Sequence, residues 1–255
     1  MNLYKSERIS KILEILEKKK VVSVADLQKQ LFVSDSSLRR DLVELERTGK
    51  INRGYGVVEL ARADNVELSY MFREQEHEAE KKKIAEIAST FLTDNQAIFI
   101  DSSSTASFLA PYLSVLHSAI VITNGLRLAV ALDNMPAVKT YVTGGRLKSG
   151  SGSLLGETSV DYVDNFTADL AFLSCTGITP THIYMSSESQ AILKKKMMGH
   201  AEKTVLLADH SKFGARSYYR LARTETLEAV ITDEKPGADF VANLEANEVE
   251  LLYGN

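Results

Sequence analysis

From residue 97 onward the chain sets short, unbroken apolar runs between segments of helical spacing: Ala97-Ile98-Phe99-Ile100, Ala119-Ile120-Val121-Ile122, Thr140-Tyr141-Val142, Leu170-Ala171-Phe172-Leu173, Val205-Leu206-Leu207-Ala208 and Ala229-Val230-Ile231. A strand with one wet face alternates apolar and polar residues, so a run that is apolar at every position needs cover on both faces. Interleaved with helices, such runs specify an α/β domain with a mostly parallel sheet. Val249-Glu250-Leu251-Leu252-Tyr253 predicts an additional edge strand.

The residues that follow these runs share one chemistry: Asp101-Ser102-Ser103-Ser104-Thr105, Thr123-Asn124-Gly125, Thr143-Gly144-Gly145-Arg146, Ser174-Cys175-Thr176-Gly177 and Asp209-His210-Ser211-Lys212. In open α/β sheets, ligands bind outside the carboxyl ends of the strands. Any one of these loops alone is ordinary turn chemistry; their recurrence after successive strands points to a site. Hydroxyls, backbone N–H groups and a cation suit a phosphate, and carboxylates suit sugar hydroxyls. The expected effector contacts are therefore Asp101, Ser102, Ser103, Ser104, Thr105, Thr123, Asn124, Gly144, Gly145, Arg146, Asp169, Thr176, Gly177, Asp209 and Lys212, for a small phosphorylated polyol.

The first 60 residues have a different period. Ile9, Ile12, Leu13 and Leu16 form one helical stripe, and Val24, Leu27 and Leu31 a second, with Ser23 and Asp26 as its capping pair. A third helix starts at the cap Ser34, carries Leu38, Leu42 and Leu45 on one face, and stops at Gly49. Ile51 to Leu60 alternates around Gly54 and Gly56, which predicts a hairpin with its tip at Arg53 and Tyr55. Three helices and a hairpin make a winged helix-turn-helix. Residues 61–75 have no steady period and read as a linker, so the expected domains are 1–60, the linker 61–75, and 76–255.

With the leucines of the third helix turned inward, its outward face collects Ser36, Arg40, Val43 and Arg47, flanked by Ser37 and Arg39. Arginines near the start of such a helix suit guanine edges in a major groove, and hydroxyls suit phosphates. Ser34, Ser36, Ser37, Arg39, Arg40, Val43, Arg47, Arg53 and Tyr55 are the expected DNA contacts. The whole-chain net charge of −4 argues against a polyanion partner until it is divided. Residues 1–62 carry net +4 and residues 63–255 net −8.

The single cysteine, Cys175, neither pairs internally nor completes a zinc site. No cofactor and no metal are expected. No run reaches the ~18 apolar residues of a membrane span, and the start lacks the order of a signal peptide, so the expectation is a cytoplasmic protein without a membrane partner.

Val33-Ser34-Asp35-Ser36-Ser37-Leu38-Arg39-Arg40-Asp41-Leu42, then Leu45-Glu46-Arg47-Thr48-Gly49 and Arg53-Gly54-Tyr55-Gly56, resemble the head of the DeoR/GlpR-type bacterial regulators. The loop 101–105, Thr123-Asn124, Thr143-Gly144-Gly145, Leu155-Gly156, Ala168 to Phe172, Gly177-Ile178 and Ala208 to Gly214 resemble the sensor domain of the same family. Ser37-Leu38 stands where family heads more often have Thr-Ile. The resemblance implies a sensor similar in fold to ribose phosphate isomerase, a repressor of a sugar uptake or catabolism operon, a phosphorylated sugar effector, operator DNA, and a homo-oligomer, dimer or tetramer. The alternative is a sugar phosphate isomerase-like enzyme with a DNA-binding head. The isomerases resembled carry a cluster of acids around the position of Asp169, whereas here one carboxylate stands between apolar neighbours, so the expectation is no enzyme.

Overall fold

The structure, a computed structural model, describes residues 4–19, 21–53, 56–61 and 70–254. The chain forms two compact units, Met1–Phe72 and Arg73–Asn255.

The first unit holds α1 (Lys5–Lys19), β1 (Val21–Ser23), α2 (Val24–Leu31), α3 (Asp35–Arg47), β2 (Ile51–Arg53) and β3 (Val57–Leu60). The predicted caps hold. The Ser23 side chain accepts from the Asp26 N–H, and that of Ser34 from the Ser37 N–H, each satisfying a first-turn donor that has no helical partner. Gly49 ends α3 with φ 71°; its N–H donates to Glu46 O while Lys50 N–H donates to Leu45 O, which closes the last carbonyls. The hairpin gains a third strand that the sequence did not indicate, because β1 pairs with β3, Val21 opposite Glu59. The core is Ile12, Leu16, Val22, Leu27, Leu31, Leu38, Leu42, Leu45, Ile51 and Val58, all buried. The stretch read as a linker includes a short helix, α4 (Tyr70–Gln75), too brief to announce itself by period.

The second unit runs α5 (Glu78–Ala88), β4 (Gln96–Ile100), α6 (Ser104–Ser107), α7 (Ala110–Leu113), β5 (Ala119–Thr123), α8 (Leu126–Leu132), β6 (Val138–Val142), β7 (Arg146–Lys148), β8 (Ser153–Leu155), α9 (Glu157–Val163) and β9 (Ala168–Ser174). It continues with β10 (Gly177–Ile178), β11 (His182–Met185), α10 (Glu188–Gly199), β12 (Ala201–Leu207), β13 (Tyr219–Arg223), β14 (Ala229–Thr232), α11 (Ala238–Ala246) and β15 (Glu250–Tyr253). The seven-stranded sheet has the order β15-β14-β12-β9-β4-β5-β6, and its ladders are parallel. Alternate residues of one strand enter different cores: Ile98 and Ile100 pack with Leu109 and Leu128, while Phe99 packs with Leu193 and Met197. That double burial is what the unbroken apolar runs require. The hairpin β7-β8 and the antiparallel sheet β10-β11-β13 are additions. Among the described residues no helix is long and apolar enough to cross a membrane.

Candidate functional site

The first surface is the outer side of α3. Leu38, Leu42 and Leu45 face the core, and Asp41 goes in with them at 1% exposure. A buried carboxylate needs a partner, and Arg8 of α1 supplies a fork: Nε donates to Oδ2 at 2.7 Å and Nη2 to Oδ1 at 3.1 Å. The bond to Asp41 raises the Arg8 pKa. Of the run Arg39-Arg40-Asp41, then, two members face solvent and the third locks the helix to its neighbour. Sequence reasoning missed this pair, because its members lie 33 positions apart.

Ser36, Arg39, Arg40, Val43 and Arg47 are exposed and Ser37 is half-buried. Arg39 meets Asp35 at 3.0 Å, and Arg40 Nε donates to Ser36 O at 3.2 Å. Exposed contacts of this kind are weak and exchange readily for a stronger anion. Arg53 reaches Glu46 at 3.5 Å. Ser34 is occupied as the cap, its hydroxyl also bonded to those of Ser36 and Ser37. Tyr55 lies outside the described residues.

The second site is at the carboxyl ends of the parallel strands. There Ser102, Ser103, Ser104, Thr105, Thr123 and Asn124 are all at most 8% exposed. Asn124 Nδ2 donates to Ser102 Oγ at 3.1 Å and to Leu154 O at 3.1 Å, and Ser153 Oγ donates to Ser102 Oγ at 2.7 Å. Ser103 caps α6, Ser104 Oγ donates to Arg73 O, and Thr123 Oγ1 accepts from the Gly125 N–H. These groups build a hydrogen-bonded floor that joins the ends of β4 and β5 to β8.

Asp101, expected to hold sugar hydroxyls, is engaged otherwise. It is 1% exposed; Oδ1 accepts from the Ser103 N–H at 2.8 Å, and Oδ2 from the Ser174 N–H at 2.9 Å and from Lys194 Nζ at 2.5 Å. Lys194, on α10, also donates to Ser174 O. Sequence reading missed Lys194 because three consecutive lysines, 194–196, give no sign of which one turns inward. Gln190, one turn earlier, donates to Ser153 Oγ at 3.4 Å and was missed likewise.

At the end of β12, Asp209 is fully buried; Oδ1 accepts from Ser211, and Oδ2 has no hydrogen-bond partner among the described residues. Burial pushes its pKa up, but Lys212, Ser211, His77 and Lys81 outweigh this and the net shift is downward. Lys212 is half-buried, and among the described residues its ammonium makes no hydrogen bond or ion pair, although its charge is felt by Asp209. Lys81 donates to the carbonyls of Arg73 and Glu76, and burial lowers its pKa against the pull of Asp209. Cys175 is buried, and desolvation pushes its thiol up to about 12, so it is not a thiolate.

Three expected residues take other roles. Asp169 belongs to the opposite end of the sheet: it is the second residue of β9, where Oδ2 accepts the Ala97 N–H at 2.7 Å. The apolar run begins after it, so nearly the whole strand separates it from the carboxyl end. Gly177 is a packing position, since a Cβ there would lie 2.4 Å from Ala215 O. Thr176 has its hydroxyl tied to Ser186. Gly145, at φ 99°, has no room for a Cβ beside Ser159 and Leu155 O, whereas Gly144 faces open space. Arg146 is exposed on β7.

The chain matches the DeoR-like helix-turn-helix domain over residues 8–63 and the DeoR C terminal sensor domain over residues 76–234. It is similar to the HTH-type transcriptional repressor GlcR of Bacillus subtilis, 31% identical over 250 residues covering 98% of this chain and 96% of that one. It is also similar to the HTH-type transcriptional regulator GolR of Listeria innocua, 32% identical over 91% of this chain and 92% of that one. A third relative is the HTH-type transcriptional regulator GlpR of Haloferax volcanii, 30% identical over 98% of each chain. Among solved structures, ribose 5-phosphate isomerase A of Methanocaldococcus jannaschii covers 54% of this chain and 55% of its own, at 17% identity and a TM-score of 0.41.

Proposed function

The chain belongs to the DeoR family of transcriptional regulators, and from that premise we propose that it represses a sugar uptake or catabolism operon and is released by a phosphorylated sugar. One observation supports the reading most: the exposed basic face of α3, whose inner side is fixed by three buried leucines and the Arg8–Asp41 pair. Arg40 and Arg39 address base edges, and Arg47, Arg53 and the serine hydroxyls address phosphates. In the second unit Lys212 takes the phosphate while Ser102 to Thr105, Asn124 and Gly144 shape the space beside it. Asp209 orients Ser211 and answers the charge of Lys212.

The domains are 1–60 for DNA, 61–75 as the connection and 76–255 as sensor and oligomerisation domain, working as a homo-oligomer in the cytoplasm. The effector favours a subunit arrangement in which two heads no longer match two half-sites. An isomerase needs a general base near the sugar. Asp169, at the far end of the sheet, and Asp101, saturated by internal donors, argue against that alternative.

The test uses the full chain. Duplexes are selected from a random library, their affinity is measured by fluorescence anisotropy, and a panel of sugar phosphates is screened by thermal shift, since a ligand of the native state raises its stability. A sugar phosphate that raises the melting temperature and weakens duplex binding supports the proposal. Selection of no sequence, or turnover of a sugar phosphate, overturns it.

A further inference from the structure

Phe32 ends α2 and stands two positions before Ser34, the cap of α3. Its backbone is left-handed, φ 53° and ψ 45°, and its side chain is 92% exposed. Both facts are unfavourable for phenylalanine. The left-handed region crowds the Cβ of an L residue, and a helix that ends this way favours glycine or asparagine. Nothing is recovered by packing, because the ring lies outside the cluster that holds its neighbours Leu31 and Val33. A residue that folding disfavours at this position, held in water immediately ahead of the basic face of α3, is placed for contact with what that face binds.

We infer that Phe32 is a specificity-determining residue that packs on a thymine 5-methyl group at the major-groove edge beside the start of α3. The inference rests on the DNA-binding reading above and deepens it. The thymine methyl is the apolar feature of the major-groove edge, and a phenyl ring recognises it by excluding water. The arginines of α3 supply charge for phosphate and guanine, and Phe32 adds a signal they cannot read.

The test compares the full-length chain with Phe32→Asn on a duplex selected by the wild type. Because asparagine suits the left-handed position, the variant folds: α3 amides in the full chain exchange about fivefold more slowly, as roughly 1 kcal/mol requires. The selected duplex binds the variant about five- to tenfold more weakly. Replacing each thymine in turn by deoxyuridine, which lacks only the methyl, weakens wild-type binding about fourfold at one position, the value of one buried methyl. At that position the replacement leaves Phe32→Asn unchanged. Unchanged duplex affinity in Phe32→Asn overturns the inference, as do equal losses for both proteins at every deoxyuridine. Failure of the wild type to select any duplex instead overturns the DNA-binding reading itself, so the two failures are distinct.

Discussion

The two units treat charge in opposite ways. In the head the cations proposed for DNA, Arg39, Arg40 and Arg47, stand in water, while Arg8 turns inward and serves the fold by pairing with Asp41. In the second unit several polar groups at the strand ends are enclosed, Asp101, Asn124, Asp209 and Lys194 being at most 5% exposed, with Lys212 half-buried beside them. A duplex is too large to be surrounded, so a protein meets it with an outward face whose strength comes from many screened contacts. A small anion can be enclosed, and a dry site strengthens each of a few contacts. The price is that buried charges must be satisfied by buried partners, as Lys194 and Asp101 are by each other and by Ser174, whereas Asp209 Oδ2 has no hydrogen-bond partner among the described residues.

The sharpest way to break this comparison is to remove one member of each inward pair. Lys194→Met strands a carboxylate that is 1% exposed; the second unit is expected to lose about 3–5 kcal/mol, measured by urea unfolding of the full chain. Asp41→Ala is expected to affect the head by less, about 2 kcal/mol, because the Arg8 side chain is 18% exposed and can turn to water. Equal losses would contradict the contrast between an enclosed site and a presented one. Next in size is Arg40→Ala, which should weaken a selected duplex by about 1–3 kcal/mol while leaving sugar phosphate thermal shifts unchanged. Lys212→Met is the mirror image. It should weaken a sugar phosphate about tenfold, as loss of one charge-assisted hydrogen bond implies, and leave duplex affinity without effector intact. A variant that lowers both affinities would mean that the units do not divide the work.

The same contrast decides what the sequence could reveal. In the head the signals are local: Ser23 and Ser34 announce helices a few residues away, Gly49 ends one, and the leucines of α3 repeat within a single helix. Hidden among the described residues were β1, a three-residue strand whose partner lies beyond two helices, and the Arg8–Asp41 pair, whose members are 33 positions apart. In the second unit the strands were legible from their unbroken apolar runs, because burial on both faces leaves its mark at every position. The site was legible only in part. Lys194 and Asp101 are 93 positions apart, and no local pattern in a lysine run says which residue reaches a strand end. Asp169 was misplaced because composition marks a strand without marking the end at which a flanking residue sits; it precedes the run and therefore lies at the amino ends of the strands, not the carboxyl ends.

The smallest expected effect is one of pH. His210, beside Asp209 and Lys212, has Nδ1 at 2.7 Å from Asp233 Oδ2, while its N–H donates to Asp233 Oδ1 at 2.7 Å. The bond to Asp233 raises the His210 pKa against a smaller desolvation effect, with the charges of Asp233, Glu234 and Asp209 adding to the rise. A folded-state pKa above the unfolded value of about 6.5 means that the proton is held more tightly in the native state. The stabilisation is complete below that unfolded value and disappears as pH rises through the higher folded one. The ring is partly in water, so screening keeps the effect small. Comparison of melting temperatures from pH 5.5 to 8.5 should find the margin of the wild type over His210→Gln greatest at the acid end and declining steadily. Asp233→Asn, which removes the charge but keeps an oxygen for the His210 N–H, should flatten that slope; a slope that survives this substitution places the titrating group elsewhere. His210 belongs to the second unit, so duplex affinity in the absence of effector should not follow the same curve.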